Sequence, residues 1–106
     1  MMTTEINMEM INELKQEESK YRKLYEDKLQ PNYILEGLKA DAFKLAIQKL
    51  ENKGLEETYN FFKKNRDKFS DSYNALTRGL ANAYGLVVGK LWKYRKPTKN
   101  KKEAEQ

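Results

Sequence analysis

Apolar residues along this chain recur every three or four positions, and no segment alternates apolar and polar residues in the manner of a strand. The pattern predicts an all-α protein, a small bundle of four helices joined by short turns. The first helix is expected over about residues 4–29, with Ile11, Leu14, Tyr21, Leu24 and Tyr25 on its inner side and an interruption at Glu17 and Glu18. Gln30-Pro31-Asn32 breaks it, since proline cannot continue the hydrogen-bond ladder and restricts the residue before it. Asn32 is a good N-cap for the second helix, whose apolar set Ile34, Leu35, Leu38, Ala42, Leu45 and Ala46 is widened by Phe43, Ile47 and Leu50. A stripe that broad suits a helix with two neighbours. Gly54 can take the left-handed C′ position that ends it.

The third helix is shorter, about residues 55–68, with Leu55, Tyr59 and Phe62 at i, i+4 and i+7. The fourth is expected to be capped by Ser70 or Asp71 and to run to about Lys96, where Pro97 stops it. Residues 1–96 then form one helical domain. Residues 97–106 carry no large apolar side chain and are expected to be a disordered basic tail.

The fourth helix holds more than a core stripe. Tyr73, Leu76, Leu80, Tyr84, Val87, Leu91 and Tyr94 fall within roughly 40° of one direction at 100° per residue. Ala81, Gly85, Val88, Gly89 and Trp92 lie to one side of it, small or apolar where a solvated helix back is normally charged. Each glycine inside a helix costs about 1 kcal/mol relative to alanine, and close approach of another backbone is the usual offset. This side is therefore a candidate protein interface, for a different protein or for a second copy of the chain. The competing reading makes the helix central and touched on several sides.

Charge adds a second candidate. From Lys90 onward there are seven basic and two acidic residues, which account for the whole formal charge of +5. Lys90, Lys93, Arg95, Lys96, Lys99, Lys101 and Lys102 form a candidate polyanion-binding segment, with Trp92 and Tyr94 interleaved. DNA or RNA is the matching ligand class, and an anionic membrane surface, as for an immunity-type protein, has the same ingredients. Cations at a helix C-terminus are also favoured by the helix dipole with no ligand at all.

Catalytic chemistry finds little to use. The chain has no His and no Cys, which removes the commonest general base and the best nucleophile. Glu9, Glu13 and Glu17 share one face of the first helix, but no facing helix offers the paired carboxylates of a di-metal bundle. There is no glycine-rich phosphate loop. A helix-turn-helix about Gly54 fails because Lys49, Asn60 and Lys63 stand where packing needs apolar residues. The expectation is a non-enzymatic protein with no cofactor, no metal and no small-molecule substrate. The absence of cysteine, of a basic leader and of a long apolar span points to the cytoplasm. Its role would be that of an adaptor, assembly factor or inhibitor, of the kind found among phage and plasmid accessory proteins, with nucleic-acid binding through the basic segment as the alternative.

Overall fold

The structure, a computed structural model, describes residues 8–29, 31 and 33–95. Four α-helices follow in order: α1 (Met8–Glu26), α2 (Tyr33–Lys53), α3 (Leu55–Ser70) and α4 (Ala75–Arg95). The all-α bundle expected from the apolar period is the fold. Helix α1 packs chiefly on α2 and α3 chiefly on α4, and the two hairpins join where α2 meets α4. Helix α1 scarcely touches α4 outside one polar cluster.

The core is one cluster drawn from all four helices. Leu14, Phe43, Leu50, Phe62, Val87 and Leu91 are its fully buried large side chains. Burying a side chain of this size stabilises by about 1.5–3 kcal/mol. Tyr84 joins the α3 aromatics to the rest, with its ring edge-on to Phe62 at 4.7 Å. Tyr21 stacks on Phe43 at 6.0 Å and carries α1 onto α2.

Two turns show how local chemistry sets the path. Gly54 has φ 87°, which a residue with a Cβ rarely adopts. Its N–H donates to Leu50 O at 3.1 Å and its carbonyl accepts from Thr58 N at 3.2 Å, so it ends α2 and opens α3 at once. Its ψ of 175° is extended, so the chain turns without the left-handed helical cap the sequence suggests. On α2, Gly37 is buried under a ring: a methyl there would lie 2.5 Å from Tyr25 Cδ1. Glycine at this point lets the end of α1 close onto α2.

Several expectations change. Helix α1 ends at Glu26, and Leu29 beyond it is exposed. Ser70 and Asp71 finish α3 and do not cap α4: Ser70 Oγ donates to Asp67 O at 2.9 Å, and the Asp71 N–H donates to Phe69 O. The cap of α4 is Asn74, whose Oδ1 accepts from Leu76 N at 2.8 Å and Thr77 N at 3.2 Å. With α4 beginning at Ala75, Tyr73 precedes the helix and is fully exposed, and Leu76 in its first turn is exposed too. The buried stripe therefore starts lower, with Leu80 half-buried and Tyr84, Val87 and Leu91 inside. Asn32, Lys96 and the tail at 97–106 lie outside the described residues.

Candidate interaction surface of the fourth helix

The five residues singled out beside the core stripe divide in two. Ala81 and Val88 are buried, 4% and 6% exposed, because α3 lies along that side of α4 as α2 lies along the other. Their small apolar character serves the monomer's own packing, as the reading of a central α4 expects and not as a displayed face would have it, although Ala81 also lines the trough described below. Trp92 is half on the surface and packs against Tyr59 of α3, ring centres 6.2 Å apart. Gly85 and Gly89 face outward. A methyl at Gly85 would be in ordinary contact, 3.4 Å from Arg66 Cδ. A methyl at Gly89 would meet nothing within 4 Å.

The outer face of α4 is consequently thin. No acidic residue occurs anywhere in α4, and no charge of either sign occurs between Arg78 and Lys90. Gly79, Asn82, Gly85 and Leu86 form the floor of an open trough of about 540 Å³. Leu35 and Lys39 of α2 flank it on one side, and Arg66 and Ser70 of α3 on the other. The sequence explains this shape. A helix with small residues at these positions sinks below the longer side chains of its neighbours, and Leu35 leans over Gly79, where a methyl would come 2.7 Å from its Cδ2. Asn82 is exposed on this floor, and its side chain makes no hydrogen bond among the described residues.

Polar groups on the rim are positioned from behind. Arg66 Nε donates to Asp67 Oδ1 at 3.1 Å, and Lys39 Nζ to Glu36 Oε1 at 3.4 Å. Neither acid lines the trough. Arg78, at the upper end of α4, donates to the Ser72 carbonyl at 2.9 Å and has no carboxylate partner among the described residues.

The basic end of α4 has a different setting. Lys90 Nζ lies 2.8 Å from Glu13 Oε2 and 3.6 Å from Glu17. Lys93 Nζ lies 2.9 Å from Glu13 Oε1, and Tyr94 Oη donates to the same oxygen at 2.6 Å. Arg95 grips Glu56 of α3 with two bonds, 2.7 and 3.0 Å. Lys90, then Tyr94 and Lys93, hold the Glu13 carboxyl down to about 2 from its usual 4.5. The Glu13 carboxylate pushes the Tyr94 phenol up to about 12. The polyanion segment thus begins with three cations already satisfied by the protein's own carboxylates. Its other members, Lys96, Lys99, Lys101 and Lys102, lie outside the described residues. Of the acidic row on α1, Glu13 and Glu17 meet α4's cations, and no group of three potential metal ligands comes together among the described residues.

No helix among the described residues is long and apolar enough to cross a membrane. Comparison with known proteins adds no relative: no family model, no curated protein and no solved structure matches the chain.

Proposed function

We propose that this protein acts by binding another protein through the outer face of α4, with the trough over Gly79, Asn82, Gly85 and Leu86 as the seat and no catalytic step. The observation that carries this reading is the open space at Gly89 together with the trough. Glycine inside a helix costs about 1 kcal/mol relative to alanine, and a methyl at Gly89 would meet nothing within 4 Å among the described residues. The close approach that would offset the cost is external. An uncharged face along the middle of a helix, flanked by longer side chains, is also the form used for seating a partner helix.

Nucleic-acid binding through the basic segment is the weaker reading, because three of its seven cations, Lys90, Lys93 and Arg95, are paired with Glu13, Glu17 and Glu56.

A photo-crosslinking amino acid at position 82 tests the reading in cells, with the same group at Gln48, exposed on α2, as control. The expected result is a discrete adduct from position 82 alone. No adduct, or the same adducts from both positions, would refute it.

A further inference from the structure

Resting on the proposed binding role of α4, we infer that the occupant of the trough is an amphipathic helix of a different protein, apolar where it meets the floor and edged with carboxylates. Three features lead there. The first is charge. The trough is lined by two cations, Lys39 and Arg66, one on each wall, and by no acid. Both are held in place without being used up. Lys39 spends one of its three donors on Glu36, and its ammonium also lies 5.2 Å from the centre of the Tyr21 ring, which leaves N–H donors for a further acceptor. Arg66 meets Asp67 through Nε and one terminal nitrogen, which leaves its other terminal nitrogen able to donate. A carboxylate arriving from above completes each set.

The second feature is shape. The floor is sunken and uncharged, with Gly79 and Gly85 along it and Leu86 beside them; Gly89, one turn beyond Gly85, is open as well. A helix is a convex rod about 10–12 Å across with its side chains, and glycines let such a rod approach closely. Asn82 offers an uncommitted amide at mid-floor, suited to a polar group on the partner.

The third feature excludes a second copy. Pairing two of these faces would set trough against trough, leaving a void where packing should be. It would also bring Lys39 and Arg66 of one chain toward the same cations of the other. Shape and charge oppose self-pairing and favour an acidic, convex partner.

The test uses the full-length protein and three labelled helical peptides of about 20 residues, built of Ala and Leu on one face. They differ only in carrying Glu, Gln or Lys along the two edges of that face. Fluorescence anisotropy should rank Glu above Gln above Lys. Two exposed charge pairs correspond to a gap of about three- to tenfold between Glu and Gln at low salt, narrowing as salt rises. In the Lys39→Glu/Arg66→Glu variant, checked for helix content, the ranking should reverse; Lys39→Gln/Arg66→Gln, which should abolish the ranking, stands in if the first fails to fold.

Equal affinity for the three peptides, binding by none of them, or a ranking that survives the substitutions overturns the inference. If the peptides bind equally and Gly85→Leu abolishes binding, the acidic partner is wrong while the α4 surface stands. If position 82 yields no adduct in cells, the binding role itself fails. A wild-type dimer in light scattering that Gly85→Leu dissolves would overturn the foreign partner in favour of a second copy.

Discussion

Glu13 near the start of α1 and Lys90 near the end of α4 meet at 2.8 Å across 77 positions of sequence. Lys93 and Tyr94 close on the same carboxylate. This cluster is the main tie between two helices that otherwise hardly touch. It places a charged network across the last turns of α4.

Glu13→Gln should therefore lower stability by about 1–2 kcal/mol at neutral pH, or about 5–10 °C in Tm for a domain of this size. Its pH signature follows from the shifts. The Glu13 carboxyl lies below its unfolded value of 4.5, so its contribution is present above that pH and is lost as pH falls toward about 2. The Tyr94 phenol lies above its unfolded value of 10, so its contribution is present below that pH and is lost as pH rises toward about 12. Thermal melts across pH should show a plateau between these limits. Glu13→Gln should flatten the acid side; an unchanged acid limb would show that the cluster contributes nothing to folding.

Gly37→Ala should destabilise by about 1–3 kcal/mol. The added methyl would meet the Tyr25 ring at 2.5 and 2.8 Å, and a ring cannot yield as a flexible chain end does. Adding Tyr25→Ala removes the obstruction, so the double variant should lose less than the sum of the two single losses. Additive losses in denaturant melts would show that the close contact is not what requires glycine.

Gly89→Ala should do the opposite. With nothing within 4 Å, the substitution should stabilise the monomer by about 0.5–1 kcal/mol through helix propensity alone. A lower Tm than wild type would mean that something within the fold occupies this space.

The four helices could be read from the sequence because the apolar period and the breakers Pro31 and Gly54 act locally. The start of α4 could not. Ser70, Asp71 and Asn74 are all good caps, and the choice fell to Asn74 because Ser70 and Asp71 were already hydrogen-bonded into the end of α3. Burial of Ala81 and Val88 follows the reading of α4 as a central helix; the sequence left it open against a displayed face because a single-helix projection shows one core direction, while α4 has neighbours on two sides. Of the proposed surface, Gly85 and Gly89 were legible as glycines without an internal reason. The trough walls were not, since Lys39 and Arg66 reach α4 only through tertiary packing. The pairing of Lys90 and Lys93 with Glu13 was hidden in the same way, although both the acidic row on α1 and the basic end of α4 were visible separately.

The most direct test of the binding face is the yield of the position-82 adduct in a Gly85→Leu background, read beside the melting curve of that variant. Leucine at position 85 would fill the trough from its own floor, where the first atom met is the flexible stem of Arg66 at 3.4 Å. A seat for a partner helix predicts a melting temperature at or near wild type with the adduct lost. An adduct that persists at wild-type yield in the folded variant would contradict the account.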